Sequence, residues 1–110
     1  MILVLVSDLI FASRISAEAR AVGSAIKMLR QPQLLAGESA GRLIVDLNLP
    51  GAIDAAAEWR KTSGGEVIGF VSHSDRETIA KAIAAGLDQV LPRSRFVQVL
   101  PDLLKSPNVA

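Results

Sequence analysis

A carboxylate at the end of a short apolar run is the feature of this sequence best placed to do chemistry. Residues 43–45 are apolar, β-branched in part and too few for a helix, which is typical of a strand buried on both faces. Asp46 ends this run, and Pro50-Gly51 then turns the chain. In an open parallel sheet, ligands bind in the crevice beyond the carboxyl ends of the strands. We therefore expect Asp46 at the rim of such a crevice.

Other polar residues follow the neighbouring apolar runs and should reach the same edge. Ser7 and Asp8 follow the first run, Ser72 and His73 follow the fourth, and Arg93 comes just past the fifth. Ser7 or Asp8 could cap the helix that follows, and for Ser7 this is the preferred interpretation. Ser72 either caps a turn or faces the crevice. A single histidine without cysteine is a poor metal site, so His73 is expected to face solvent or to gate the crevice.

The elements that position these residues alternate short apolar runs with helical segments. Strands are predicted over 2–6, 25–29, 43–46, 67–71 and 89–91. Helices are predicted over about 10–22, 32–38, 52–61, 74–86 and 95–105, with Pro101 kinking or splitting the last one. This alternation predicts an α/β fold, a flavodoxin-like (βα)5 doubly wound sandwich with a five-stranded parallel sheet.

Composition limits the classes of function. The 110 residues fit one domain, 1–110, with 106–110 expected to fray, and half of them are apolar. The formal net charge of +1 without a basic block argues against nucleic acid as a partner. No apolar run is long enough to span a membrane, so we expect a cytoplasmic protein. Glycine-rich phosphate loops and nucleophile elbows are missing and cysteine is absent, so we do not expect an enzyme.

The order and spacing of the strand-end residues resemble the receiver domain of two-component response regulators, over nearly the whole chain. The most specific piece is Val-Asp-Leu-Asn-Leu-Pro-Gly at 45–51, and Ala-Ala-Gly-Leu-Asp at 84–88 is also similar. The resemblance implies that Asp46 is the phosphoacceptor and that Ser72 and Arg93 contact the phosphoryl group.

The same resemblance implies a cofactor and a partner surface. Mg²⁺ would be held by Asp8, Asp46 and the backbone carbonyl of Asn48, since it binds through one or two carboxylates and keeps several waters. The family's usual output face lies on the fourth helix, fifth strand and fifth helix. In this chain that face includes Arg76, Lys81, Arg95 and Val99.

Several residues depart from the family's pattern. Ser7 stands where the first acid is expected, Arg93 replaces a lysine, and Ser94 replaces the proline after it. Val90 stands where many receivers have an aromatic switch residue, and His73 stands where a small residue leaves the site open. Loss of an acid should weaken metal binding. The planar, forked guanidinium could pair bidentately with the phosphoacceptor even without a phosphate.

These departures favour a stand-alone receiver-like signal transduction domain whose phosphoacceptor site is degraded. Such a pseudo-receiver would act by protein–protein interaction with a sensor kinase or a downstream effector, and it could form a homodimer. One alternative is a phosphorylatable single-domain response regulator of a phosphorelay, with Asp46 as phosphoacceptor. Further alternatives are a small flavodoxin-like module that binds a flavin or nucleotide and a remnant that serves only for dimerisation.

Overall fold

The computed structural model describes residues 1–72 and 75–105. The predictions for His73, for a helix start at Ser74 and for the tail 106–110 lie outside the described residues. Strands β1 to β5 comprise Ile2–Leu5, Ile26–Leu29, Arg42–Asp46, Glu66–Val71 and Gln89–Pro92. Helices α1 to α4 comprise Leu9–Ala21, Ala52–Ser63, Arg76–Ala84 and Arg93–Leu103, and a 3₁₀ turn spans Pro32–Leu35.

The five strands form one parallel sheet in the order β2-β1-β3-β4-β5. This order is that of the flavodoxin-like doubly wound fold, so the predicted fold class is confirmed. β3 lies in the middle of the sheet, and Asp46 at its end is in register with Phe70 of β4. Neighbouring residues in register point to the same face of a parallel sheet, so Asp46 and Phe70 share a face.

Apolar side chains fill both faces of the sheet. On one face α1 and α4 pack through Phe11, Ile15, Phe96 and Leu100 against alternate strand residues such as Ile44. On the other face the packing comes from α2, α3 and the 3₁₀ turn. Burial on both faces explains why the strand sequences are continuously apolar rather than alternating. In the described part of the chain, the helices are all too short or too polar to cross a membrane.

The helices differ from the prediction in number and in their ends. Four α-helices are found in the described part of the chain instead of five, because the segment after Pro32 forms a 3₁₀ turn that ends at Leu35, before Glu38. The last helix begins at Arg93, two residues earlier than predicted, and continues unbroken past Pro101. Pro101 therefore does not split the helix.

Helix capping differs from the prediction as well. The N-cap of α1 is Asp8, whose carboxylate accepts hydrogen bonds from two backbone N–H groups of the first turn. Of the two possible caps, Asp8 is therefore confirmed and Ser7 is wrong, since a carboxylate one residue later has the better position and the stronger acceptor. The N-cap of α3 is Asp75, whose side chain accepts a hydrogen bond from the backbone of Thr78.

Candidate functional site

Asp46 is a buried carboxylate at the carboxyl end of the central strand. The residue is only 7% exposed, and Asp46 Oδ1 accepts a hydrogen bond of 3.0 Å from the backbone N–H of Asn48. Burial raises the pKa of Asp46 above its usual value, and the Asn48 hydrogen bond opposes this effect only in part. Burial therefore disfavours the charged form of Asp46 by more than the hydrogen bond favours it.

Arg93 brings a positive charge to Asp46 from the first turn of α4. Its Nη2 atom lies 4.0 Å from Asp46 Oδ2, and its side chain is 44% exposed. This single contact is beyond hydrogen-bond distance, so the expected bidentate pairing is wrong. The cation still lowers the pKa of Asp46, but less than burial raises it. Arg93 and Asp46 therefore form an ion pair without a hydrogen bond.

Asp8 reaches the same edge of the sheet from the start of α1. Its Oδ1 atom accepts hydrogen bonds of 2.9 Å from Ile10 N and 3.2 Å from Phe11 N. Its negative charge adds to the factors that raise the pKa of Asp46, after burial. Ser7 is exposed, and its backbone carbonyl accepts a hydrogen bond of 3.3 Å from Arg30 Nη2. The structure thus places Asp8 beside Asp46 and gives Ser7 a backbone contact.

The side chain of Asn48 joins two loops at this edge. Its Oδ1 atom accepts a hydrogen bond of 2.9 Å from the backbone N–H of Ser72, and its Nδ2 atom donates one of 2.7 Å to Asp75 Oδ2. Asp75 also accepts hydrogen bonds from the backbone and hydroxyl of Thr78. These bonds, above all those from Thr78, lower the pKa of Asp75. This bridge was not predicted, because only the backbone carbonyl of Asn48 was expected at the site, although an asparagine in a strand-end loop is typical of such side-chain bonding.

The residues at this edge offer few ligands for a metal. In the ranges 1–72 and 75–105, no cluster of three or more His, Cys, Asp or Glu residues could hold one. Asp8 and Asp46 remain as two hard oxygen donors of the type that Mg²⁺ binds. One oxygen of each is already bonded to backbone N–H groups, and Arg93 opposes the charge of Asp46. The donor types fit Mg²⁺, but the set is smaller than a strong site needs.

The predicted partner surface and the predicted switch position Val90 differ in their exposure to solvent. Of the predicted partner surface, Arg76, Lys81 and Arg95 are exposed, whereas Val99 is half-buried and packs against the core beneath α4. Val90 of β5 is half-buried on the opposite face of the sheet, against the core under α2 and α3. Three of the four surface residues are therefore accessible to a partner.

No family model matches the chain, and no curated protein sequence is significantly similar to it. Solved structures do match. A response regulator from Burkholderia pseudomallei with a phosphorylated aspartic acid and a calcium ion superposes with a TM-score of 0.76 at 18% identity, covering 94% of this chain and 65% of that one. A CheY-like receiver domain protein from Methanospirillum hungatei matches with a TM-score of 0.75 at 14% identity, over 94% of this chain and 91% of that one.

A third structure with a similar fold contains a bound metal ion. The receiver domain of a sensor histidine kinase from Pseudomonas aeruginosa, with magnesium in its active-site cleft, has a TM-score of 0.74 at 16% identity over 96% of this chain and 97% of that one. The chain spans about two thirds of the length of the Burkholderia protein, 65%. Together these matches show that the chain has the fold of receiver domains.

Proposed function

We propose that the chain is a receiver-type signalling domain with a degraded phosphoacceptor site, which acts by protein–protein contact and not as an enzyme. The observation that most supports this proposal is Asp46, a buried carboxylate at the end of the central strand of a receiver fold, with a guanidinium already 4.0 Å away. Further support is that Asp8 comes shortly after β1 and Ser72 directly after β4, the two strands that flank β3.

The degraded character follows from the charges around Asp46. Phosphoryl transfer to a carboxylate requires a cation that neutralises the oxygens of the phosphoryl group. When bound, Mg²⁺ would supply this charge, held by Asp8, Asp46 and the Asn48 carbonyl. Ser7 adds no third acid, and Arg93 already opposes the negative charge that would attract the metal. We therefore expect weak metal binding and little phosphorylation.

The test is an amide NMR titration with Mg²⁺ and then beryllofluoride, a mimic of the phosphoryl group. The wild-type protein should show no shifts centred on Asp8, Asp46 and Ser72. The double variant Ser7→Asp/Arg93→Lys, which restores the family's residues, should respond, and Asp46→Asn in that background should abolish the response. A silent double variant would overturn the proposal. A response of the wild-type protein would instead favour the phosphorylatable response regulator.

The proposed partner is a sensor kinase or a downstream effector in the cytoplasm, or a second copy of the chain. Arg76, Lys81 and Arg95 present positive charge on α3 and α4, where such a partner would contact the domain. Lys81 Nζ lies 3.3 Å from Glu77 Oε1, so the positive charge of Lys81 is partly balanced. A partner that binds this surface should lose affinity when Arg76 and Arg95 are changed to glutamate.

A ligand-binding module is the second candidate because an open groove of about 560 Å³ lies between the loop after β3 and helix α3. Leu49, Pro50 and Lys81 are among its lining residues. A flavin or nucleotide site would normally include a glycine-rich phosphate loop, which this sequence lacks. Visible absorbance of the purified protein would reveal a bound flavin and decide for this candidate.

A further inference from the structure

The guanidinium of Arg93 lies against two aromatic rings as well as near Asp46. Its central carbon is 4.8 Å from the centre of the Phe11 ring and 5.7 Å from the centre of the Phe70 ring. Both distances fall within the roughly 6 Å at which a cation is attracted by the face of a ring. The distance from Arg93 Nη2 to Asp46 Oδ2 is 4.0 Å, too long for a hydrogen bond. The rings therefore restrict the position of this cation more closely than the carboxylate does.

The two rings are themselves held firmly. The backbone N–H of Phe11 donates to the Asp8 cap, and its ring lies 5.0 Å from that of Phe70 and 5.8 Å from that of Phe96. Phe70 stacks on Phe96 at 4.4 Å, and both are fully buried. Phe96 belongs to α4, one turn after Arg93. The surface under the guanidinium is thus part of the core and does not depend on the charge state of Asp46.

We propose that Phe11 and Phe70 are positioning residues for Arg93, whose guanidinium they hold beside Asp46 whether or not a phosphoryl group is present. A planar guanidinium stacks on aromatic rings, whereas a lysine ammonium is a compact, strongly hydrated charge on a flexible chain. The rings of Phe11 and Phe70 can therefore hold an arginine at position 93 in a way that they could not hold a lysine.

This inference deepens the proposed function, on which its biological meaning rests. A cation that the rings hold beside Asp46 offsets part of the carboxylate's charge when no metal or phosphoryl group is bound. Because Arg93 is the first residue of α4 and Phe96 lies in the same helix, the arrangement also fixes α4 relative to Asp46. The conformation of a pseudo-receiver would then be set by core packing and not by phosphorylation.

The test is NMR of the arginine side chains in the full chain, without metal or phosphate mimic. In the wild-type protein, the δ and ε protons of Arg93 should be shifted upfield by the ring currents and should show NOEs to the Phe11 ring. Arg95, exposed on the same helix, is the internal reference. Arg93 signals that coincide with those of Arg95 would overturn the proposal.

Four variants separate the rings from the carboxylate. Phe11→Leu should reduce the upfield shift, because only the more distant Phe70 ring remains, and Phe11→Tyr should retain it. Asp46→Asn should leave the shift in place. Phe96→Leu is the comparison for lost packing in the same cluster, since among the described residues the Arg93 contacts are with the other two rings. Loss of the shift in Asp46→Asn, or an undiminished shift in Phe11→Leu, would overturn the proposal.

Folding of each variant is checked independently through Trp59, which is buried on the opposite face of the sheet. A change of Trp59 fluorescence would identify a fold defect, and Phe70→Leu would then replace Phe11→Leu as the test. None of these spectra involves beryllofluoride. A failure of the proposed function, seen as a silent Ser7→Asp/Arg93→Lys variant, is therefore distinguishable from a failure of this inference, seen as unshifted Arg93 signals.

Discussion

Asp88, just before β5, pairs with Arg60 of α2, and its geometry contrasts with that of Asp46 and Arg93. Both oxygens of Asp88 accept hydrogen bonds of 2.9 Å from the Arg60 guanidinium, and Oδ2 also accepts one of 2.7 Å from Val67 N. Hydrogen bonding to Arg60, more than any other factor, lowers the pKa of Asp88. Burial, more than any other factor, raises that of Asp46, whose arginine stays at 4.0 Å.

The same two residue types thus perform different tasks in one small domain. Asp88 stabilises the fold, because hydrogen bonding to Arg60 favours its charged form and lowers its pKa below the ordinary value. Asp46 destabilises it, because its charged form is desolvated without full compensation. Perturbed carboxylates of the second kind cluster at functional sites, and structural ion pairs resemble the first. The contrast identifies Asp46 as the functional candidate without reference to any relative.

The largest expected effect is a loss of stability when the packing of Leu47 against Gly69, next to Asp46, is disturbed. The residue after it, Leu47, packs directly over Gly69 of β4, where an added Cβ would lie within 2.6 Å of Leu47 Cγ. Gly69→Ala should therefore cost about 1–3 kcal/mol of unfolding free energy, as overpacking does, and should disturb Asp46. The Asp88–Arg60 pair should be unaffected. Urea denaturation measures the cost, and amide shifts of Asn48 and Val67 report on the two sites.

A double-mutant cycle decides whether the Leu47 side chain is the cause. Leu47→Ala removes the obstructing atoms, so Gly69→Ala/Leu47→Ala should cost less than the sum of the two single variants. Additive costs would mean that the strain of Gly69→Ala arises elsewhere in β4.

The second expected effect is a loss of stability in Asp88→Asn. The Arg60 and Asp88 side chains are 45% and 27% exposed, so solvent screens the pair. When an amide replaces the carboxylate, the free energy of unfolding at pH 7 should therefore fall by less than about 1 kcal/mol. The ordinary pKa of the carboxyl is 3.8, and its folded value is lower. The stabilisation is therefore present above about pH 3.8 and is lost as the pH falls through the folded value. Denaturation of both proteins at several pH values below 5 should show the difference vanishing on acidification.

The contrast between the pairs also shows what the sequence could predict. The five strands, their burial on both faces of the sheet and the placement of Asp46, Asp8 and Ser72 at one edge follow from continuous apolar runs and their spacing. The helix start at Arg93 and the cap at Asp8 depend on local competition between neighbouring polar residues, which pattern does not resolve.

Side-chain geometry was the least accessible to prediction. Nothing in the spacing of Phe11 and Phe70 along the chain indicates that their rings meet under Arg93, because this contact depends on the crossing of α1 over the sheet. The bidentate pairing expected for Arg93 belongs in fact to Arg60 and Asp88. Sequence locates charged groups at an edge, whereas tertiary packing determines which of them bond.

A smaller effect of opposite sign is expected for Asp46→Asn. The neutral amide removes a charge that is costly to bury and can still accept the Asn48 hydrogen bond, so the free energy of unfolding at pH 7 should rise. The pKa of Asp46 is raised in the folded protein above its ordinary 3.8. The penalty is therefore present above the folded pKa and disappears below the ordinary one, where Asp46 is protonated in both states.

Thermal unfolding of Asp46→Asn and the wild-type protein as a function of pH measures this difference. The gain should shrink as the pH falls toward 3.8, whereas the loss in Asp88→Asn should persist to lower pH, because the folded pKa values lie on opposite sides of the ordinary value. A loss of stability in Asp46→Asn at pH 7 would mean that the charge of Asp46 stabilises the fold as that of Asp88 does, and would contradict the contrast between the two residues.

The smallest effect, and the most specific to the site, is on the titration of Asp46 itself. Arg93 lowers the pKa of Asp46 against the larger effect of burial. Arg93→Gln should therefore raise this pKa further, while Arg95→Gln, the matched loss of charge two residues along α4, should have little influence because of solvent screening. Carbon-detected NMR of the side-chain carboxyl groups follows Asp46 and Asp88 in one experiment. An unchanged Asp46 pKa in Arg93→Gln would mean that the guanidinium is held by the rings with no electrostatic effect on the carboxylate.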